Sequence, residues 1–224
     1  MPLQFGLKDD ACSSWSPPSL AHLDQPPVFQ FKAREPRDEA RFYHFVRRNG
    51  LYPVPEADIR AEIVKVLRAS WSPKTFAAEH PRLLKLWAAV DRGEDLSTED
   101  AAAVGELEVR CATISRRLAL LVERRDRFKA EAPGYALAFF LRGWEGVDAP
   151  FMREGATVMM ACLVVLKGKL QKLEEQAAAA GVPGVVPGLA ITELALHALG
   201  LLAPVDDDDQ VVAEADPEPV GEAA

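Results

Sequence analysis

A mainly α fold, a multi-helix bundle with a small N-terminal β-ribbon and a disordered acidic C-terminal tail, is what this sequence predicts. Three observations carry it. Apolar residues recur at three- and four-residue spacing through most of residues 37–202, the period of an amphipathic helix. Residues 1–36 instead hold six prolines and one weakly alternating run. After Pro204 come eight acids and no base, a composition too polar and too charged to form a packed core. The resulting division is 1–36 as an extended or β-ribbon segment, 37–180 as a helical body, 181–204 as a Gly/Pro linker with a last helix, and 205–224 as the tail.

Pro17-Pro18 and Pro26-Pro27 exclude a helix across the first segment. Val28-Phe29-Gln30-Phe31-Lys32 alternates and reads as a short strand, paired with Leu3 to Leu7. Two strands alone are marginal, so the ribbon must pack on the helices. Glu35-Pro36-Arg37-Asp38-Glu39 opens a helix that buries Ala40, Phe42 or Tyr43, and Val46 and closes at Asn49-Gly50. Pro55 opens a second, with Ile59, Ile63, Val66 and Leu67 on one face, ending near Ser70. Ser72-Pro73 caps a short third, and Pro81 restarts a helix carrying Leu83, Leu84, Leu86, Trp87 and Val90 up to Gly93.

Ser97-Thr98-Glu99-Asp100 resembles a capping box and begins the longest element, to about Glu131. Val104, Leu107, Cys111, Ile114, Leu118, Leu121, Arg125 and Phe128 form its heptad seam, able to pair within the chain or with another subunit. Arg125 is the one charge on that seam. Either its stem packs while its head reaches solvent, or it sets register or partner choice. Pro133 breaks the helix, and Tyr135 to Leu141 forms a short apolar one.

The chain then enters the stretch Leu141 to Phe151, whose two glycines, proline, aromatics and carboxylates separate two helical runs. Gly143 is expected to end the preceding helix as its left-handed C-cap, and Pro150 bars helix through Ala149. Trp144, Val147 and Phe151 should pin the turn to the helical body. Gly155 to Ala180 reads as a second long helix, buried all round from Val158 to Leu166 and solvated from Lys167 to Glu175. Gly181 to Gly188 cannot be helical, and Ile191 to Leu202 forms the last amphipathic segment.

The composition narrows function mostly by exclusion. The net charge is −8, and the tail's unbalanced acids account for all of it. A neutral body lacks the basic stripe of a nucleic-acid binder. Three scattered cysteines read as free thiols in a reducing cytoplasm. The most apolar run, Val158 to Leu166, is far short of the ~20 residues that span a bilayer, so no membrane partner is expected. His22, His44, His80 and His197 form no metal-ligand pair at helical spacing, and no phosphate-cradling glycine motif occurs. No catalytic residue, cofactor or metal is therefore expected. Glu145 and Asp148 are the most suggestive carboxylate pair, and they read better as a turn acid capping the next helix or as solvated charge. Asp206 to Asp209 lack the spacing of a calcium loop.

Two stretches resemble the tail assembly chaperones of long-tailed bacteriophages and prophages. One is Phe29-Gln30-Phe31-Lys32-Ala33-Arg34-Glu35-Pro36-Arg37-Asp38-Glu39-Ala40-Arg41-Phe42, a strand followed by a Pro-started helix. The other is Arg142-Gly143-Trp144-Glu145-Gly146-Val147-Asp148-Ala149-Pro150-Phe151-Met152-Arg153, similar to the family's GWE(G/N)-x-D-x-PF-x-R loop. The resemblance implies a non-enzymatic role: binding the tape-measure protein, and in some cases tail-tube subunits, and keeping the former soluble while the tube assembles. It also implies self-association, with residues 181–224 suiting an appended, frameshift-derived part. Partner-binding residues on this reading are Trp144, Glu145, Val147, Asp148, Phe151 and Trp87; the aromatics, with Trp71 and Phe76, serve equally well as core. A structural or adaptor component of the particle is the alternative, and a helical enzyme or ligand binder the third reading.

Overall fold

The computed structural model describes residues 12–202. The expected strand at Leu3 to Leu7 and the expected tail from Val205 lie outside the described residues. Within them, β1 (Cys12–Trp15), a 3-10 turn (Pro18–Leu20) and β2 (Val28–Lys32) precede helices α1 (Asp38–Arg48), α2 (Glu56–Ser70), α3 (Pro73–Asp91), α4 (Thr98–Ile114) and α5 (Arg116–Phe140). Then come β3 (Leu141–Glu145), the two-residue strands β4 (Arg153–Glu154) and β5 (Thr157–Val158), and helices α6 (Met160–Ala179) and α7 (Leu189–Gly200). The fold is mainly α, as the periodicity predicts.

The sheet is larger than a two-stranded ribbon. β2 is the central strand, antiparallel to β1 on one side and β3 on the other. Phe29 and Phe31 point from β2 into the core and are fully buried, while Gln30 between them pairs with Gly143 of β3. This corrects the role assigned to Gly143. It sits inside a strand, and α5 ends three residues earlier at Phe140, with Leu141 turning into extended backbone at φ −65° and ψ 134°. The glycine that a left-handed turn does require is Gly146, at φ +79°. A Cβ there would stand 3.2 Å from Pro27 Cα, because the β3 exit runs against the Pro26-Pro27 entry to β2.

Proline and glycine punctuate this chain less strictly than expected. Pro81 lies inside α3 and Pro133 inside α5, both of which run through. An interior proline costs about 3 kcal/mol of helix stability. In α5 that cost is offset because both halves are anchored, Leu118 in one apolar cluster and Ala132 to Phe140 in another. Conversely, the helix expected from Ser97 to Glu131 is broken at Ser115, whose backbone is extended (φ −106°, ψ 109°). Its N–H closes α4 on the Cys111 carbonyl, and its hydroxyl accepts the Leu118 N–H at 3.2 Å to start α5. The two helices fold back on one another around this one residue.

Two apolar clusters follow. The larger joins the sheet, α1, the C-terminal half of α5, α6 and α7 around Phe29, Phe31, Phe42, Phe140 and Trp144. In α1 it takes Phe42 and Val46 but leaves Ala40 exposed, contrary to expectation. The smaller joins α2, α3, α4 and the start of α5 around Ile59, Ile63, Leu83, Trp87, Cys111 and Leu118.

α6 departs from its expected burial at both ends. It starts at Met160, after the β4–β5 ribbon, and only one side of its apolar half is covered. Cys162, Leu163 and Leu166 are buried, whereas Met159, Met160, Val164 and Val165 are exposed. In the charged half, Leu170 and Glu174 are fully buried. Glu174 faces the N-terminus of α7, where its two oxygens accept the Gly188 and Ala190 N–H groups at 2.6 Å each. A carboxylate there satisfies two donors left free by the helix start and complements the helix dipole. α7 is thereby held on α5 and α6, with Ala190, Leu194 and Ala198 buried.

Candidate protein-binding surfaces

The stretch around Trp144 is built as core. β3 carries Trp144 opposite Phe29 and Glu145 opposite Val28. The indole is buried, donates from Nε1 to the Ala149 carbonyl at 3.2 Å, and meets the Phe151 ring edge-to-face at 4.8 Å. Burying an indole removes some 200 Å² from water, roughly 5 kcal/mol at ~25 cal/mol per Å². Arg142 is also buried, its guanidinium donating to the Phe139 and Leu141 carbonyls at 2.8 and 3.0 Å. The two motif-bearing stretches, separated by more than a hundred residues, are thus neighbouring strands of one sheet. Of the six residues read as partner-binding, Trp144 and Trp87 are buried, and Val147 and Phe151 are partly buried against the larger cluster. Asp148 is fully exposed beside Lys169 at 3.5 Å, the solvated reading of that acid. Glu145 accepts from Gln30 Nε2 at 3.4 Å. The structure does not assemble the six into one surface.

It offers two other places. The first lies between α3 and α4, which face each other across a cleft instead of packing closely along their length. One side of the cleft, about 200 Å³, is lined by Trp71, Leu83, Leu86, Val104 and Leu107. The other, about 270 Å³, is lined by Ile59, Ile63, Trp87, Val90, Val104 and Leu107. Val104 and Leu107 belong to both, so the two sides share a wall. Glu79, Glu106 and Arg110 line the rim without an ion pair to any described residue, and the other charges there are paired. Arg60 grips Asp91 with contacts of 2.6 and 2.8 Å, and Arg82 reaches Asp100 at 3.0 Å. Arg125 holds Glu108 and Glu56. Hydrogen bonds from the arginine lower the Asp91 carboxyl from its ordinary range, and the Glu108 and Asp126 partners raise Arg125. Asp91 is held ionised by Arg60, and Asp100 by Ser97 and Arg82, which suits a rim and not a proton shuttle.

The second place is the exposed side of α6, where Met152, Met159, Met160, Val164 and Val165 are uncovered. The sequence reading touches the first only through Trp87, which lines the cleft with Trp71, and does not reach the second. Pro81 reads as dividing α3 in two, and the first half of α6 reads as wholly buried. The signal available for α6 was the absence of any polar residue between Val158 and Leu166, which forces apolar side chains outward unless another element surrounds the helix.

Among the described residues, no group of three or more His, Cys, Asp or Glu side chains could hold a metal ion, and no helix is long and apolar enough to cross a membrane. No family model, curated protein or solved structure matches this chain.

Proposed function

We propose that this chain is a non-enzymatic assembly chaperone of a phage or prophage tail, binding the tape-measure protein and keeping it soluble during tube assembly in the bacterial cytoplasm. The observation that carries the binding role is the α3–α4 cleft. Its floor is aliphatic and aromatic, and its rim carries charge, much of it in ion pairs within the chain. An amphipathic helix can lay one apolar face into such a groove with anchors at i, i+3, i+4 and i+7. A partner that is long, helical and aggregation-prone until assembled presents many such faces. Weak individual contacts then sum through multivalency. The link to phage tails rests on the resemblance of the two motif-bearing stretches, not on the cleft.

The test is co-expression with the candidate tape-measure protein, reading that protein's soluble fraction and its co-purification. Leu86→Glu and Leu107→Glu place a charge in the cleft wall at partly buried positions. Both should reduce capture several-fold while far-UV circular dichroism stays unchanged. A partner that precipitates equally with and without this chain overturns the chaperone role. Capture that survives both substitutions moves the binding site elsewhere.

A further inference from the structure

The outward side of α6 is apolar where a solvated helix carries charge. Met160 and Val164 lie one turn apart on it, as do Ala161 and Val165, and Val164 is 70% exposed. Met152 and Met159 join them at the mouth of the β4–β5 ribbon, where the Met159 N–H donates to the Met152 carbonyl at 3.0 Å. Every methionine among the described residues therefore sits on this one surface. Methionine is unbranched and polarisable, and it suits surfaces that adapt to an incoming segment. Along the same side of the helix the lysines begin. Lys167 follows Val164 at i+3, and Lys172 follows Val165 at i+7. Neither pairs with a described acid, while Lys169 reaches Asp148 at 3.5 Å.

We propose that residues 203–224 of this same chain are the occupant of that surface. The segment carries eight acids and no base, with Val205, Val211 and Val212 among them. It thus offers the charge that Lys167 and Lys172 lack and apolar groups for the methionines. Reach is not limiting. The last described residue, Leu202, follows α7, which packs against α6. The 22 residues beyond it span up to roughly 70 Å when extended, whereas α6 is about 30 Å long. A tether this short holds the segment at an effective concentration near millimolar, so a weak contact is populated. This inference does not depend on the proposed function or on the α3–α4 cleft.

The experiment uses the full chain with methyl-labelled methionine. A nitroxide is placed at residue 213 by Ala213→Cys, in a Cys12→Ser background that removes the exposed thiol. Docking predicts strong paramagnetic broadening of the Met152, Met159 and Met160 methyl signals that is independent of protein concentration. It also predicts that 0.5 M salt, or Asp206→Asn to Asp209→Asn combined, relieves at least half of the broadening. Unbroadened methyls overturn the proposal. Broadening that grows with concentration also overturns it, because the segment then docks on a second copy. Retained broadening in Lys167→Glu/Lys172→Glu removes the electrostatic part of the argument. Capture at the α3–α4 cleft is read separately, so either idea can fail alone.

Discussion

The Arg125 guanidinium closes on the Glu108 carboxylate with two contacts of 2.7 Å, joining residues 17 apart in sequence across the α4–α5 hairpin. In one continuous helix those positions would stand about 25 Å apart. Arg125 also reaches Asp126 at 2.9 Å and Glu56 at 3.6 Å, and its side chain is only 14% exposed. The charge on the apolar seam is therefore an ion-pair clamp within the chain, across the hairpin that replaces the expected continuous helix.

Removing that clamp should loosen the hairpin. Arg125→Ala leaves Glu108 and Glu56 facing each other, both partly screened by solvent. We expect a loss of about 1–2 kcal/mol, toward the lower end of what a broken buried pair costs. Urea unfolding checks the magnitude. A double-mutant cycle with Glu108→Gln should show coupling, and independent effects would mean that the pair does not clamp the hairpin.

Glu174 offers a second, local test. Glu174→Gln replaces one of the two accepting oxygens with an NH2 donor, which then faces an N–H group it cannot accept from. The expected cost is about 1–3 kcal/mol. It should appear first as faster hydrogen exchange at Gly188 and Ala190 and across α7, with α2 and α3 unaffected.

Trp144→Ala should act on the fold, not on a binding surface. Truncating a buried indole costs about 3–5 kcal/mol. Thermal unfolding is expected to fall steeply, and any loss of partner capture should track loss of helical signal. Normal stability with lost capture would place Trp144 at an interface after all.

His197 predicts a pH dependence. Its ring stacks on Trp15 at 4.5 Å and meets Phe31 edge-on at 4.8 Å, with Nε2 buried and without a hydrogen-bond partner. Burial lowers its pKa from the ordinary value. The folded state thus holds the neutral ring, and the unfolded state binds the extra proton. Stability from this group is present above the unfolded pKa of about 6.5 and falls as pH drops through the window below it. Unfolding free energies measured from pH 7.5 to 5 should decline, and His197→Gln should flatten that part of the curve. An unchanged slope in the variant would assign the decline to other groups.

The helical class, the starts of α2 at Pro55-Glu56 and of α4 at Ser97, the strand at Val28 to Lys32 and the non-helical Gly181 to Gly188 were all determined by the sequence alone. Local chemistry decides these features: a capping hydroxyl, a proline's fixed φ, alternating apolar side chains, or a glycine–proline run. Tertiary structure decided the rest. Pro81 and Pro133 stay within helices because packing on both sides outweighs one lost hydrogen bond. Ser115 breaks a seam that reads as continuous because folding back lets Leu118 and Cys111 share one cluster. Gly143 becomes strand because Gln30 lies opposite it. Glu174 looks solvated in a charged run and is buried because α7 returns to present two N–H groups. The candidate surfaces belong to this second class. A periodic pattern states that a helix has an apolar side, but which side stays uncovered depends on neighbours that arrive from far along the chain.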